Sequence, residues 1–216
     1  MRYIVALSGG LASAWCAGWA LRTFPKKDVV LYFNDTKWEH PDLYRFLDDL
    51  EAYFNHPITR DSDGRSPEDL FHYNSALASD FMPFCSKVLK VKRMQKFFND
   101  GDSLIFGIGI DEIKRKKRLI SAYQVASAKL KKTPKLMFPL ISNQVTTYSV
   151  YDFIKGTGIE IPELYRLGFT HNNCSGGCVR SGKAQWSLLL DRLPDVYAER
   201  ERVENDMRNK LGKDIH

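Results

Sequence analysis

The sequence predicts an α/β domain with a doubly wound, mainly parallel sheet of the Rossmann-like kind. Apolar runs alternate with helical patterns along most of the chain, and the first run, Tyr3–Leu7, ends in a glycine turn that leads into a helix. A chain of 216 residues with 44% hydrophobic content is long enough to bury one core. We expect residues 1–160 to form this α/β domain, and residues 161–216 to add a cysteine-containing loop and a charged helix packed on it.

In the first part of the chain, short apolar runs predict strands, and amphipathic patterns predict the helices that follow them. Pro25 ends the first helix, and Pro41 suits the first turn of the second. The expected elements are a strand at Tyr3–Leu7, a helix at Leu11–Phe24, a strand at Asp28–Phe33 and a helix at Pro41–Phe54.

In the remainder of the chain, Ser66 is the clearest helix start, because it is followed by Pro67 and two acidic residues that favour a helix N-terminus. The other expected elements are a helix at Cys85–Phe98, strands at Ser103–Ile108 and Leu136–Leu140, a short helix at Pro162–Leu167 within a loop from Gly156 to Cys178, and a charged helix at Lys183–Leu211 broken at Pro194.

Composition narrows the class of protein. No run of about 18 apolar residues could span a bilayer, and the N-terminal apolar run stops at Ser8, too early for a secretory signal. We therefore expect a cytoplasmic protein with no membrane partner. The net charge is +6, and the block Lys114–Arg118 favours a phosphate-rich partner, although a solvated helix face explains it about as well.

The segment Ser8-Gly9-Gly10-Leu11-Ala12-Ser13 predicts an anion-binding loop between a strand and a helix. Gly9 and Gly10 allow a tight turn and close approach of a ligand. The amides at the helix N-terminus attract an anion, and the hydroxyls of Ser8 and Ser13 add donors. The segment matches neither the Walker pattern nor the dinucleotide pattern. A plain tight turn is the alternative.

Two later strand ends carry further polar residues, and ligands bind at this edge of an open parallel sheet. After the second strand, Asp35 and Thr36 are candidates for a metal or a ribose hydroxyl, and Trp38 for stacking on a base. The alternative is that Asp35 or Thr36 only shapes the turn.

After the strand at residues 103–108, Gly107 and Gly109 permit close approach of a base or sugar. Asp111 or Glu112 could hold Mg²⁺ near phosphates, and Arg115 follows.

Cys85, Cys174 and Cys178 are candidate metal ligands, since disulfides are not expected in a chain without a secretory signal. Zinc would need a fourth ligand, for which His171 is available. A [4Fe–4S] cluster usually takes four cysteines, so three would leave one iron open. Buried structural thiols are an equal alternative.

Together these segments resemble the phosphoadenosine-phosphosulfate-reductase-like branch of the adenine nucleotide α-hydrolase superfamily, the PP-loop ATP pyrophosphatases. The resemblance extends from about Arg2 to Trp186. It rests on the order and spacing of five motifs: Ser8-Gly9-Gly10-x-x-Ser13, Asp35-Thr36-x-x-Glu39-His40-Pro41, Cys85-Ser86-x-x-Leu89-Lys90, Gly107-Ile108-x-x-Asp111-Glu112-x-x-x-Lys116, and Tyr165-x-x-Gly168-Phe169-x-His171-x-x-Cys174.

The resemblance implies that the PP-loop holds the phosphates or sulfate of an adenine nucleotide, with Asp35 near the ribose or a metal. It implies that Cys85, Cys174 and Cys178 ligate an iron–sulfur cluster, with Ser86 in place of a fourth cysteine. Two features depart from the family. Ala12 stands where the common PP-loop has Asp, and the C-terminal sequence lacks the nucleophilic cysteine of sulfonucleotide reductases.

We therefore expect an enzyme that binds ATP or a related adenine nucleotide with Mg²⁺. The leading hypothesis is adenylation of a tRNA, DNA or small acceptor with release of pyrophosphate, coupled to sulfur transfer from a donor protein. Alternatives are a sulfonucleotide reductase that uses an external thiol, possible only with a thiol-reductant partner, and a non-catalytic nucleotide-binding subunit. The expected catalytic residues are Ser13, Asp35, Asp111 and Arg115.

Overall fold

Five strands form one parallel sheet in the order β3-β2-β1-β4-β5. The central strand β1 pairs with β2 on one side and with β4 on the other, so that Tyr3 lies between Val29 and Ser103. This arrangement confirms the predicted doubly wound α/β class. The strands are β1 Tyr3–Ala6, β2 Val29–Asp35, β3 Ile58–Ser62, β4 Ser103–Ile105 and β5 Lys135–Met137.

Helices follow the strands along the chain. They are α1 Leu11–Thr23, α2 Pro41–Phe54, α3 Pro67–Asn74, α4 Phe84–Ser86, α5 Lys92–Phe97, α6 Ile113–Leu130, α7 Pro139–Ser142, α8 Thr147–Thr157, α9 Glu163–Arg166, α10 Lys183–Arg192 and α11 Pro194–Leu211. A π-helical stretch, Lys87–Val91, joins α4 to α5, and 3-10 turns lie at Lys26–Asp28, Ile110–Glu112 and Cys174–Gly176.

This computed structural model describes residues 1–212. Two compact units alternate along the sequence. The first consists of residues 1–33, 44–61 and 94–161, and the second of residues 34–43, 62–93 and those from 162 onward. The division at residue 160 that the sequence suggested stays a prediction, and its last residues, 213–216, lie outside the described part of the chain.

The core of the first unit forms because successive strand residues point to opposite faces of the sheet. One face packs against side chains of the helical segments around α5 and α6, in a cluster of Ile4, Tyr32, Met94, Phe98, Leu104 and Tyr123. On the other face, Val5 is aligned with Leu31 and Ile105 across the strands, and all three are fully buried. Burial on both faces accounts for the continuous apolar runs of the central strands.

An ion pair between buried Asp102 and partly exposed Arg2 fixes the start of β1. The carboxylate of Asp102 accepts hydrogen bonds from the backbone N, the Nε and the Nη2 of Arg2 at 2.9, 3.0 and 2.7 Å, and from the backbone N of Asn99 at 2.8 Å. The residue is only 3% exposed. These bonds fix the position of β1 against the turn that precedes β4.

The second unit contains the expected helix start at Ser66. Its hydroxyl accepts a hydrogen bond from the backbone N of Asp69, whose carboxylate accepts one from the backbone N of Ser66. This capping box confirms the prediction. Further along, α10 and α11 are separate helices that meet at Leu193 and Pro194, as the proline predicts.

The structure differs from the sequence-based elements in several places. The strand β3 and the helices α6 and α8 are additions. The strand β4 ends at Ile105, and the backbone N of Ile108 donates to the carbonyl O of Phe106 at 3.0 Å in a tight turn beyond it. The predicted last strand is shifted, since it ends at Met137 and Pro139 begins α7. Within residues 1–212, no helix is long and apolar enough to cross a membrane.

Candidate functional site

The loop that follows β1 has the backbone geometry of an anion-binding turn. Gly9 has a φ of +75°, a left-handed conformation that disfavours side chains. Gly10 is extended, with φ −97° and ψ 158°, and is the N-cap of α1. The glycine pair therefore serves two different needs: Gly9 makes the turn, and Gly10 leaves the space in front of the helix open.

Ser13 holds this loop together from inside. Its hydroxyl donates to the carbonyl O of Gly10 at 2.8 Å and accepts from the backbone N of Ser8 at 3.1 Å. The hydroxyls of Ser8 and Ser13 lie 3.2 Å apart. Ser13 is 4% exposed, whereas Ser8 is exposed. Ser8 thus offers a hydroxyl to a ligand, and Ser13 maintains the shape of the loop.

The N-terminus of α1 is electrostatically suited to an anion. The helix has 13 residues, no side chain caps it at Gly10, and its first turn has no acidic residue. The first amides of a helix have no carbonyl partner within the helix, and the helix dipole adds a partial positive charge there. An anion placed before Leu11 would receive both contributions.

Gly107 contacts this loop directly. A β-carbon at Gly107 would lie 2.8 Å from the backbone C of Ala12 and 2.8 Å from the backbone N of Ser13. Real Cβ atoms do not approach backbone so closely. The glycine is therefore required by packing against the first turn of α1, whether or not it also approaches a ligand.

The segment after β4 presents charged groups at the surface. The backbone N of Gly109 donates to Glu112 at 3.2 Å, and Glu112 also accepts from Arg115 at 2.6 Å. The side chain of Arg115 is 59% exposed, and Asp111 is exposed as well. An exposed pair of this kind is weak, so Arg115 can exchange Glu112 for a phosphate at little cost.

In the second unit, Asp35 and Thr36 shape the turn at the end of β2. The carboxylate of Asp35 accepts from the backbone N of Lys37 at 2.8 Å and pairs with the Lys37 Nζ at 3.1 Å. Lys37 has a φ of +63°, which this contact holds in place. The Thr36 hydroxyl is buried and donates to Glu39 at 2.9 Å. The ligand roles of Asp35 and Thr36 stay predictions.

Glu39 connects three segments of the second unit. Its side chain is 1% exposed. One carboxylate oxygen accepts from the Thr36 hydroxyl and from the Lys90 Nζ at 3.3 Å, and the other accepts from the backbone N of Cys174 at 2.7 Å. Burial would lower the pKa of Lys90, but the charge of Glu39 raises it, so Lys90 stays protonated. Buried Glu39, paired with the partly exposed Lys90, anchors the cysteine loop.

Trp38 is a core side chain in this structure. It is 8% exposed, the Arg200 guanidinium lies 3.7 Å from its ring centroid, and its ring meets Phe71 edge-on. Burial lowers the pKa of Arg200, whose side chain also passes 3.2 Å from where a β-carbon of Gly177 would be. Stacking of Trp38 on a base stays a prediction, and Arg200 already occupies one face of the ring.

The pKa values of Cys174 and Cys178 are shifted in opposite directions by the interaction between the two thiols. This interaction raises the pKa of Cys174, and burial raises it further. The same interaction, against the effect of burial, lowers the pKa of Cys178, with a contribution from the backbone N of Arg180. The lowered pKa favours the thiolate at Cys178.

No metal centre is shown at the three cysteines predicted as metal ligands in the described part of the chain, and their role as ligands stays a prediction. Within residues 1–212, no group of three or more His, Cys, Asp or Glu side chains is arranged to hold a metal ion. Cys85 packs against an apolar cluster that contains Phe71 and Phe84, and burial raises the pKa of its thiol. The [4Fe–4S] cluster and the zinc site with His171 therefore gain no support.

These features define a class. A five-stranded parallel sheet, flanked by helices, carries a glycine turn at its first helix, as in nucleotide-binding PP-loop proteins. Residues 2–181 match the model of one family, the phosphoadenosine phosphosulfate reductase domain. The chain belongs to this family and thus to the adenine nucleotide α-hydrolase-like superfamily, as the resemblance predicted. No curated protein matches the sequence.

The loop residues could be identified from the sequence, but the groups that organise the second unit could not. Ser8, Gly9, Gly10, Ser13 and Gly107 lie together in the first unit. The buried charges of Glu39 and Arg200 were missed, as was the pairing of Glu39 with the partly exposed Lys90. Arg200 had a signal in the spacing of Val196, Arg200, Val203 and Met207, which places a charge at a core position of α11.

Proposed function

We propose that the PP-loop Ser8–Ser13 binds the phosphates of ATP, and that the chain adenylates an acceptor with release of pyrophosphate. The observation that carries the proposal is the open N-terminus of α1, which has neither a side-chain cap nor an acidic residue in its first turn. Membership of a nucleotide-binding PP-loop family supports adenine nucleotide as the ligand.

In this reaction an acceptor oxygen attacks the α-phosphorus of ATP. The bond from that phosphorus to the bridging oxygen breaks, and pyrophosphate leaves with the electron pair. Amides at the start of α1 and the exposed Ser8 hydroxyl are suited to stabilise the growing negative charge. Arg115 would add a positive charge after it leaves Glu112, and Asp111 and Gly109 belong to the same proposed site. Mg²⁺, bound with the nucleotide, would neutralise phosphate charge.

The proposed acceptor is a nucleic acid such as a tRNA or DNA, because α6 presents a basic block. Lys114, Arg115, Lys117 and Arg118 are all exposed on this helix. Sulfur transfer would follow when the terminal sulfur of a donor-protein persulfide attacks the activated carbon or phosphorus and displaces AMP. A second thiol of the donor would then attack the disulfide so formed, which releases the thiolated acceptor and leaves a disulfide on the donor. We assign no part of this step to a metal cluster.

A second candidate is sulfonucleotide reduction with an external thiol. Ala12 gives α1 no carboxylate in its first turn, where the common PP-loop has Asp. A loop without this carboxylate is better suited to a ligand that is bound without Mg²⁺-pyrophosphate, such as adenosine phosphosulfate. In that reaction a thiolate of a partner protein attacks the sulfur, breaks its bond to the phosphate oxygen and displaces the nucleotide. A second thiol of the partner then attacks the modified cysteine, which releases sulfite and leaves a disulfide on the partner.

Pyrophosphate release in the presence of candidate acceptors tests the first proposal. We expect Gly10→Val and Ser13→Ala to lower turnover by at least tenfold. Valine would fill the space before α1, and loss of the Ser13 hydroxyl would release the loop from the shape that presents its amides. The loss of one preorganised donor costs about 100-fold in comparable sites. Val is compatible with the extended backbone of Gly10, so this variant fills the loop without breaking the turn. Gly156→Val and Ser121→Ala, at exposed positions on α8 and α6, are matched controls.

Three outcomes separate the proposals. Turnover that is lost in the loop variants and kept in the controls supports adenylation. Tighter binding of adenosine phosphosulfate or phosphoadenosine phosphosulfate than of ATP, with no pyrophosphate release, favours the reductase. Nucleotide binding without turnover, with every acceptor and thiol partner, contradicts both and leaves an accessory nucleotide-binding subunit.

A further inference from the structure

The segment between Glu112 and Asp152 carries the positive charge of the protein. It contains nine Lys or Arg residues and no Asp or Glu, which leaves 23 basic and 26 acidic residues in the rest of the chain. The rest therefore has a net charge of −3, although the whole chain carries +6. All nine basic residues lie on α6, on the turn after it or at the start of β5, and this concentration favours a polyanionic partner.

Helix stability does not explain this block. Five basic residues, Lys114 to Arg118, occupy the first two turns of α6, where the helix dipole is positive and disfavours cations. Like charges at i,i+3 and i,i+4, such as Lys114 with Lys117 and Arg118, also repel each other. Glu112 offsets part of this cost through its pair with Arg115. A pattern that costs helix stability points to function, since sequences break local rules mainly at functional sites.

The exposed cations of α6 lack the counter-charges that several other helices provide. On α2 and α11, Arg45 and Arg202 pair with acidic residues one turn away. Within residues 1–212, no ion pair or side-chain hydrogen bond involves Lys117, Arg118 or Lys129, and all three are exposed. These side chains can bind phosphates without first leaving another partner.

The exposed side chains form one continuous face of α6. Lys114, Arg118, Val125 and Lys129 follow one another at intervals of four or seven residues, which places them on the same side of the helix. The opposite side packs on the core through Tyr123. Between its basic ends, the exposed face carries small uncharged side chains: Ala122, Val125 and Ala128. A ligand can therefore approach the middle of α6 closely while its charges meet the two ends.

This face fits the major groove of B-form DNA. Arg118 and Lys129 are 11 residues apart, which is about 16 Å along the helix axis. The groove is about 12 Å wide and admits an α-helix, so the two ends can reach the phosphates on both of its sides. The major groove of A-form RNA is too narrow for a helix. Single strands are bound by stacking on exposed aromatic rings, whereas the aromatic residue of α6, Tyr123, is only 3% exposed.

We propose that α6 docks duplex DNA in the major groove, with the basic ends of the helix on the two phosphate backbones. The inference rests on the proposed function, since it names duplex DNA as the nucleic acid acceptor. α6 begins at the edge of the sheet that carries the PP-loop, because Gly107, shortly before it, packs against Ala12 and Ser13. A duplex on α6 therefore has one backbone at this edge.

Fluorescence anisotropy of the full chain tests the proposal. The protein is titrated, without nucleotide, into a short labelled DNA duplex at a series of NaCl concentrations. An RNA duplex and a DNA single strand of the same sequence serve for comparison. The test variant combines Lys117→Gln, Arg118→Gln and Lys129→Gln. The matched control has the same change in charge at exposed positions of the same unit: Lys26→Gln, Lys27→Gln and Lys155→Gln.

We expect the wild type and the control to bind the DNA duplex equally, and the test variant to bind it at least tenfold more weakly. Each lost phosphate contact lowers the slope of log K against log salt by about 0.9, so the slope of the test variant should be shallower by about 2.7. The RNA duplex and the single strand should bind the wild type more weakly than the DNA duplex does.

Equal affinity of the two triple variants would overturn the proposal. An RNA duplex or a single strand that binds the wild type as tightly as the DNA duplex would overturn it even if a variant does not fold, as would a wild type that does not bind the duplex. Since no nucleotide is present, these results are separate from the pyrophosphate assay. DNA binding without pyrophosphate release removes adenylation and keeps the docking, and pyrophosphate release with a small acceptor but no DNA binding removes the docking alone.

Discussion

Replacement of Glu39 by Gln is the sharpest test of how the second unit holds its cysteine loop. The buried carboxylate accepts hydrogen bonds from the Thr36 hydroxyl, the Lys90 Nζ and the backbone N of Cys174. Gln keeps the size of the side chain but replaces one oxygen by an NH₂ group. The variant therefore leaves Lys90 without its counter-charge. It also places an NH₂ donor where the carboxylate accepted hydrogen bonds from other donors.

The expected loss in the free energy of unfolding follows from the burial of the Glu39–Lys90 pair. Removal of one partner of a buried ion pair typically costs about 3–5 kcal/mol, because the other charge stays in the protein without compensation. The Glu39 side chain is 1% exposed, but that of Lys90 is 33% exposed, so water can solvate part of the ammonium. We therefore expect a loss near the lower limit, about 3 kcal/mol in the free energy of unfolding.

Urea unfolding followed by far-UV circular dichroism measures this change. Asp80→Asn is the matched control, since Asp80 pairs with Arg180 at 2.8 Å in the same unit but the two side chains are 62% and 37% exposed. Such a surface pair contributes less than about 1 kcal/mol. If Glu39→Gln and Asp80→Asn lower the free energy of unfolding equally, the role of Glu39 as an anchor is refuted.

Three further predictions concern other parts of the chain. Gly107→Ala should lower nucleotide affinity at least tenfold in titration calorimetry, because its β-carbon would displace the first turn of α1. Gly156→Ala, at an exposed position on α8, is the control. Unchanged affinity in Gly107→Ala would show that this contact is not needed for binding. Asp102→Asn should lower the free energy of unfolding by about 3 kcal/mol in urea. Burial raises the pKa of Asp102, but hydrogen bonds from Arg2 lower it by more. The contribution of Asp102 to the free energy of unfolding is therefore complete above the usual carboxyl pKa and is lost as the pH falls through the lowered value. A urea series from about pH 7 to about pH 3 that shows no such loss would contradict this. Iodoacetamide at neutral pH should label Cys178 first and Cys16 last in a mass-spectrometric time course. The pKa of Cys178 is lowered by its interaction with Cys174, whereas burial raises the pKa of Cys16, which is fully buried. The reverse order would contradict the preference for a thiolate at Cys178.

The fold and the PP-loop could be predicted because their signals are local. The strand Tyr3–Ala6, the glycine turn and the helix α1 are adjacent in sequence, and each has a distinct pattern. β3 was missed because its residues, Ile58 to Ser62, are mostly polar and only Ile58 is buried, as is usual for an edge strand. α8 was missed because its first residues are β-branched, aromatic or hydroxyl side chains with weak helix propensity.

The organisation of the second unit could not be predicted in the same way. Glu39 bonds to Lys90 and Cys174, which are 51 and 135 residues distant in sequence. The cysteines themselves were recognised, but their spacing does not distinguish a metal site from structural thiols. That distinction depends on where Cys85 packs, which is a tertiary property.

The central claim is that the loop from Ser8 to Ser13 is the phosphate site of an adenine nucleotide. Titration calorimetry of the full chain with ATP, and with adenosine phosphosulfate, tests it most directly when Gly10→Val is compared with Gly156→Val. We expect at least one nucleotide to bind the wild type and Gly156→Val equally, and to bind Gly10→Val at least tenfold more weakly. Equal affinity for all three proteins would contradict the claim.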